Sequence, residues 1–295
     1  MKNYIISFLE RYNYPLDAKS DLLNAYDKMR CDEFKEILDV YEQNKNCDYA
    51  LLIDNTTHLA EKFGVHKYTA HLLLFICLSK QLGEYYKQEN IDEEIFYNSM
   101  NDLLYKLLEC RAIHGINGIY VANWYKGFFK MTCFAICRLH FEIVKTHNEV
   151  TLGGRVFPTG TKAIGIHIPR TGTKLTHEDV LTSYCQAAKF FAKEFENQPI
   201  LFTTGTWLLD PWLKTVLPES SNLLLFGNDF KIVETIGSSA DYIAHVVFGT
   251  IYNGNPKALP QNTTLQRAYV KSFEEGKQPH TATGIFLYEN NKIIK

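Results

Sequence analysis

The sequence predicts an α/β (α+β) chain: a helical first part followed by a mixed sheet with flanking helices. Three observations lead there. Up to about residue 115 the apolar residues recur every three or four positions, the spacing of buried helix faces. Beyond residue 120 short alternating or fully apolar runs trade places with amphipathic helices, the pattern of strands and helices in one sheet domain. The length, 295 residues, suits two domains at ~150 residues each. The predicted division is residues 1–118 and 119–295.

In the first part, Ile5, Phe8, Leu9 and Tyr12 form one helix stripe. A second helix starts near Ser20, an N-cap candidate, and runs through Leu22, Leu23, Tyr26 and Met29. Its pattern continues through Phe34, Ile37, Leu38 and Tyr41. Thr56 or Thr57 reads as the cap of a short helix that ends at Gly64. The stretch HKYTAHLLLFICLSKQLGEYY is apolar nearly all round at its centre, as a helix enclosed by others must be. Asp92, Glu93 and Glu94 open another helix, their charges suited to its positive end, and Gly115 and Gly118 close the pattern.

In the second part, Lys130 to Lys145 reads as one long strand. A Gly153–Gly154 turn and the strand RVFP follow. Thr161 to Pro169 alternates isoleucines with Ala163, Gly165 and His167, the clearest strand in the chain. Thr176 caps a helix with the stripe Val180, Tyr184, Ala187, Phe191 and Phe195. The strand PILFTT leads into TWLLDPWLKTVL, read as a short amphipathic helix. Asn222 to Val233 reads as strand, turn and strand. Ser238 or Ser239 and Thr263 or Thr264 begin two more helices, and TATGIFLYENNKIIK ends the chain as a strand with a hairpin partner.

Composition narrows the function. A net charge of −2 with mixed signs gives no electrostatic footprint for nucleic acid. The longest apolar run, His71 to Leu78, is far short of the ~20 residues of a membrane helix, so no membrane partner is expected. The start, MKNYIISFLERYN, lacks a signal-peptide pattern, and the seven scattered cysteines read as reduced thiols, so a cytoplasmic protein is expected. Cys133 and Cys137 are the closest pair, but no second Cys/His pair follows at zinc spacing, and no metal is expected. No G-x-S-x-G occurs, which argues against a nucleophile-elbow hydrolase.

The sharpest motif is IHIPRTGTKLTHEDV, Ile166 to Val180: strand, glycine-containing loop, capped helix. A helix start offers unpaired N–H groups and a positive dipole end, and Arg170 and Lys174 stand just before it. The segment is either a phosphate cradle or a plain strand-to-helix connection, since Glu178 and Asp179 also satisfy the dipole. It is neither a P-loop nor a GxGxxG turn.

Several segments resemble a bacterial acyltransferase-like family with a helical N-terminal domain and a GNAT-like C-terminal domain. They are GIYVANWYKGFFK with RLHFE behind it, IHIPRTGTKLTHEDVLTSYCQAAKFFAKEF, TWLLDPWLKTVLPESSNLLLF and TTLQRAYVKSFEEG. The resemblance covers the chain from about residue 75 onward and the first 70 residues loosely. It implies transfer of an acyl group from acyl-CoA, acetyl-CoA above all, to an amine of unknown identity. It also implies that the coenzyme is held by Arg170, Thr171, Gly172, Thr173, Lys174 and Thr176, with main-chain N–H groups around Ile166 and Ile168 facing the thioester carbonyl. The helical part then covers the acceptor side or forms a homodimer surface.

His167 is the first candidate base, on the strand beside the coenzyme; Glu142 on the preceding strand is the second and Asp210 the third. Trp207 and Trp212 wall an acyl or pantetheine channel or anchor their segment. Two departures from the GNAT pattern stand out. The turn Arg170–Leu175 carries one glycine where Q/R-x-x-G-x-G/A has two, and TWLLDPWLKTVL has no tyrosine to act as an acid. They keep two other readings open: a non-catalytic module binding acyl-CoA or another phosphorylated ligand, and a structural protein whose cleft is plugged by its own aromatics.

Overall fold

The computed structural model describes residues 1–295. It divides into two compact units. The first is Met1–Ala135 with Pro169–Gly172, the second Ile136–Ile168 with Thr173–Lys295.

The first unit is helical: α1 Lys2–Arg11, α2 Leu16–Met29, α3 Asp32–Gln43, α4 Tyr49–Lys62, α5 Lys67–Gln88 and α6 Glu93–His114. A 3₁₀ turn, Ala122–Tyr125, and the single-turn α7, Lys126–Phe129, follow. Helix α5 is the axis. Its residues Thr69–Ser79 are all buried, and α1, α2, α3, α4 and α6 pack around it. That is why its centre is apolar on every side. Asp48 and Asp92 cap α4 and α6, each side chain accepting from main-chain N–H groups of the first turn.

Three expectations for this unit are corrected. Ser20 lies inside α2, which starts after Pro15, whose fixed φ suits a helix start. The run from Ser20 to Tyr41 is two helices, because Arg30 and Cys31 leave helical geometry. Thr56 and Thr57 lie inside α4 with their hydroxyls bonded back to Leu52 and Ile53 carbonyls, since Asp48 already caps that helix.

The unit runs past residue 118. At Gly118 an added Cβ would fall 2.3 Å from the Tyr68 carbonyl carbon, so only glycine lets the chain touch the start of α5. Ile119 N–H then donates to the Tyr68 carbonyl at 3.0 Å. Beyond it Tyr125, Phe128 and Phe129 are fully buried. The Tyr125 hydroxyl lies 3.0 Å from an Asp102 carboxylate oxygen, and the Phe129 carbonyl accepts from Tyr41. These aromatics tie residues 119–135 to the helices.

Strand β1, Cys133–Ile136, carries the chain from one unit to the other. The second unit contains β2 Leu139–Lys145, β3 Val150–Leu152, β4 Arg155–Phe157, β5 Lys162–His167, α8 His177–Phe190 and β6 Ile200–Thr206. A 3₁₀ turn Trp207–Leu209, α9 Leu213–Val216, α10 Asn222–Gly227 and β7 Lys231–Gly237 follow. Then come α11 Ala240–Ile243 with a π turn Ala244–Phe248, α12 Thr264–Glu274, β8 His280–Glu289 and β9 Lys292–Ile294. The strands β2, β5, β6, β8 and β7 lie side by side in that order. The β5–β6 pair is parallel and the others antiparallel, with β9 on the far end of β8.

One sheet face packs under α8. The Phe202 and Phe286 rings stack at 5.2 Å, with Tyr184 of α8 4.9 Å from Phe286. The other face is covered at one end by the β3–β4 hairpin, where Val150 and Leu152 close over Ala163, Leu201 and Leu287. A third cluster gathers α9 to α12 around Tyr269.

Two strand expectations fail here. The long strand Lys130–Lys145 is broken at Cys137, whose φ of 54° turns the chain between β1 and β2. Asn222–Gly227 is a helix: its apolar run is too short for periodicity to separate the two forms. The helix expected over TWLLDPWLKTVL is interrupted, because Pro211 pushes Asp210 out of helical geometry (ψ 118°).

Acid sensitivity in the first unit follows from His71. Its Nε2 lies 2.8 Å from the Thr57 hydroxyl, and burial pushes its pKa down to about 4. An unfolded histidine titrates near 6.5, so between those values the unfolded chain binds the proton and stability falls as pH falls. The expected loss is about 3 kcal/mol from pH 7 to 4. Urea titrations of wild type and His71→Gln across that range test it, the variant showing a flatter profile.

Candidate active site

The strands β5 and β6 run parallel but pair only at Ile164–Phe202 and Gly165–Thr203. Beyond that point β6 stays with β8 through Thr206, while β5 stays with β2 through His167. The Ile166 carbonyl accepts instead from the Thr204 hydroxyl at 2.9 Å. The sheet therefore parts between Ile166 and Thr204.

A cavity of about 280 Å³ opens at this parting, entirely within the second unit. Its floor is Gly165, Thr203, Gly205 and Thr283; Glu142 and His167 stand at one side, Val233 and Glu234 at the other. The loop Thr146–Asn148 walls one end. That loop is fixed by a Thr146 N–H bond to the Thr161 carbonyl at 2.9 Å and a Gly160 N–H bond to the Thr146 carbonyl at 2.8 Å.

The register explains why Glu142 and His167 meet. Glu142 is opposite Gly165 and His140 opposite His167, so Glu142 and His167 are diagonal neighbours across β2 and β5. Their side chains lie 2.7 Å apart, His167 Nε2 to Glu142 Oε1. Both are about one-third exposed. A carboxylate only accepts, so Nε2 is the donor in this pair. Gly165 leaves room for this pair: a Cβ there would come within 3.0 Å of Val144 and 3.5 Å of Glu142.

Asp210 is elsewhere. It is 3% exposed and does not line the cavity. One carboxylate oxygen accepts from Trp212 N–H and the other from His280 N–H, both at 2.9 Å. It ties the turn after β6 to the start of β8. Trp207 and Trp212 are also outside the cavity: their rings lie 6.4 and 4.9 Å from Tyr269, in the α9–α12 cluster. The plug of aromatics foreseen for a structural protein is absent from the parting.

The loop between β5 and α8 keeps the predicted cap. The Thr176 hydroxyl accepts from Asp179 N–H at 3.2 Å and the Asp179 carboxylate accepts from that hydroxyl. Gly172 has φ 80°, a left-handed turn that suits glycine. Arg170, Thr173 and Lys174 are exposed and Thr171 is half-buried. Next to this cap His177 donates from Nε2 to buried Asp229, 2.9 Å away, and burial raises the Asp229 carboxyl above its usual range. No sequence pattern marks this pair, whose members are 52 residues apart. Glu234 was missed as well, because its direction depends on an irregularity in strand pairing.

Residues 133–286 match the family described as GNAT-like C-terminal domain. The chain belongs to that family. Residues 4–131 match the N-acyltransferase N-terminal domain. Among solved structures, an acyltransferase in complex with decanoyl-CoA has a TM-score of 0.73 at 20% identity, covering 95% of this chain and 86% of that one. A structure of an acyltransferase with decanoyl-CoA and teicoplanin has a TM-score of 0.73 at 19% identity over the same shares. No curated protein matches. At these identities the structures establish a common fold. The family match makes β5, the Pro169–Leu175 loop and α8 of this chain part of a GNAT-like domain.

Asp210 carries a stability prediction. Asp210→Ala leaves two N–H groups without their acceptor, at about 1–3 kcal/mol for each that stays buried. The expected loss is about 2–4 kcal/mol of unfolding free energy in urea titrations, with Asp210→Asn costing less because one acceptor oxygen survives.

Proposed function

We propose that this protein is an acyl-CoA-dependent N-acyltransferase, moving an acyl group from the coenzyme thioester to a free amine. The observation that carries this reading is the Glu142–His167 pair at an open parting of two parallel strands. Family membership and the acyl-CoA held by proteins of the same fold support it.

In this reading the thioester lies across the parting. The acceptor ammonium gives a proton to His167, directly or through water, and the neutral nitrogen attacks the thioester carbonyl. Glu142 holds the imidazole orientation and stabilises the imidazolium that forms. Main-chain N–H groups at the end of β5, around Ile166 and Ile168, face the negative charge that develops on the carbonyl oxygen. The attacking nitrogen gives its surplus proton to solvent, the tetrahedral centre collapses to the amide, the carbon–sulfur bond breaks, and the thiolate leaves to be protonated from solvent, since the segment after β6 supplies no tyrosine. The coenzyme phosphates meet Arg170, Lys174 and the turn Thr171–Thr176. The short acetyl donor expected from the sequence stands against the decanoyl-CoA bound by proteins of the same fold, and donor length belongs in the test.

Thermal melting with millimolar acetyl-CoA, octanoyl-CoA, free CoA and ATP tests donor binding. A ligand at ~100 times its Kd stabilises by about 2.7 kcal/mol, several degrees for a unit of this size. CoA species are expected to shift the transition and ATP to leave it, with Arg170→Ala plus Lys174→Ala reducing the shift. His167→Gln is expected to lower kcat by about 10²–10⁴-fold in thiol-release assays, with donor binding retained. Donor binding without thiol release over a broad amine panel would instead favour a non-catalytic module.

A further inference from the structure

The cavity has a second carboxylate, and its placement is built by a fault in strand pairing. In β7, Ile232 is opposite Gly284 of β8, and regular pairing would set Val233 opposite Thr283. The register instead shifts by one residue, and Glu234 stands opposite Thr283. Side chains alternate along a strand, so without the bulge Glu234 would pair with Ala282 and face the other side. The bulge brings Glu234, with Val233, to the cavity. Glu234 has no hydrogen bond or ion pair of its own, whereas Glu142 is engaged with His167.

The ground between the two carboxylates is low. Two residues beyond the Gly165–Thr203 pair stand His167 on β5 and Gly205 on β6; Gly205 is opposite Thr283, and Thr283 opposite Glu234. One row across the sheet therefore reads His167, Gly205, Thr283, Glu234. Beside it runs Glu142, Gly165, Thr203, Ile285. Two glycines and two threonines, with Ile285 and Val233 beside them, make a shallow trough with the His167–Glu142 pair at one end and Glu234 at the other. At ~4.8 Å per strand, three strand spacings come to about 14 Å at the main chain, and the parting of β5 from β6 at this level sets the ends further apart than that.

We propose that the acceptor is a dication: one amine reacts at His167, and a second ammonium, reached along the trough, is held by Glu234. This rests on the N-acyltransferase reading and narrows its acceptor to amines bearing a second positive charge several bonds from the first. The alternative occupant is the acyl chain of the donor, which a carboxylate at the end of the trough opposes, since an apolar terminus cannot pair with it. Glu234 is a specificity residue in this scheme and takes no part in proton transfer.

The test is equilibrium binding, so it does not depend on turnover. The full chain is titrated calorimetrically at pH 7.5 with 1,4-diaminobutane, 1,8-diaminooctane and 1,10-diaminodecane, and with butylamine, octylamine and decylamine. The eight- and ten-carbon diamines are expected to bind roughly ten- to a hundredfold tighter than the monoamines of equal length, the range of a charge-assisted hydrogen bond. Glu234→Gln is expected to erase that advantage and leave monoamine affinity unchanged, which also shows that the variant is folded. Equal affinity for diamine and monoamine in wild type, tighter binding of the monoamine, no binding of any amine, or an advantage that survives Glu234→Gln would each overturn the proposal. Failure of the wider reading shows separately, as a missing thermal shift with acyl-CoA.

Discussion

The parting of β5 and β6 is the constraint on which the site depends. Parallel strands joined through α8 pair for two residues and then separate, with the Thr204 hydroxyl taking the Ile166 carbonyl that a continued ladder would have satisfied. A buried carbonyl needs a partner, and a side chain supplies it without closing the gap. Each strand is held on its outer side by a long antiparallel neighbour, β2 for β5 and β8 for β6. The opening therefore belongs to the rigid part of the domain. The Glu142–His167 pair benefits directly, since both residues project from strands fixed in register over six residue pairs.

Much of this was legible in the sequence because it rests on local rules. The isoleucine alternation of Thr161–Pro169 marked β5, and with it the direction of His167. Thr176, followed by Glu178 and Asp179, marked the start of α8. Glu142 was readable as a second candidate base on an earlier strand, but its bond to His167 depends on the β2–β5 register, which the intervening β3–β4 hairpin hides from the sequence. The apolar girth of α5 announced a central helix. The resemblance in IHIPRTGTKLTHEDV and TWLLDPWLKTVL then pointed to the family that the whole-domain match establishes.

What stayed hidden depends on non-local geometry. Ser20, Thr56 and Thr57 looked like caps because cap chemistry is common inside helices too, and only Pro15 and Asp48 show where the helices begin. Asn222–Gly227 has the composition of a strand and the structure of a helix, decided by its packing near α8. The role of Asp210 could not be seen because His280, whose N–H it accepts, is 70 residues away. Glu234 is the plainest case: alternation in KIVETIG puts it on the wrong face, and one unpaired residue reverses that.

The β3–β4 hairpin has a role apart from the chemistry. It closes over one end of the sheet face through Val150 and Leu152, and its flanking loop at Thr146–Asn148 forms an end wall of the cavity. The Glu142–His167 pair is written in β2 and β5, whereas the space available to a bound molecule is written in this short excursion between them. Length changes in residues 146–160 would resize the chamber while leaving the strands that carry Glu142 and His167 untouched. Reactivity and capacity are thereby encoded in separable parts of the chain, and a lineage of such proteins could change what it accommodates without rebuilding how it reacts.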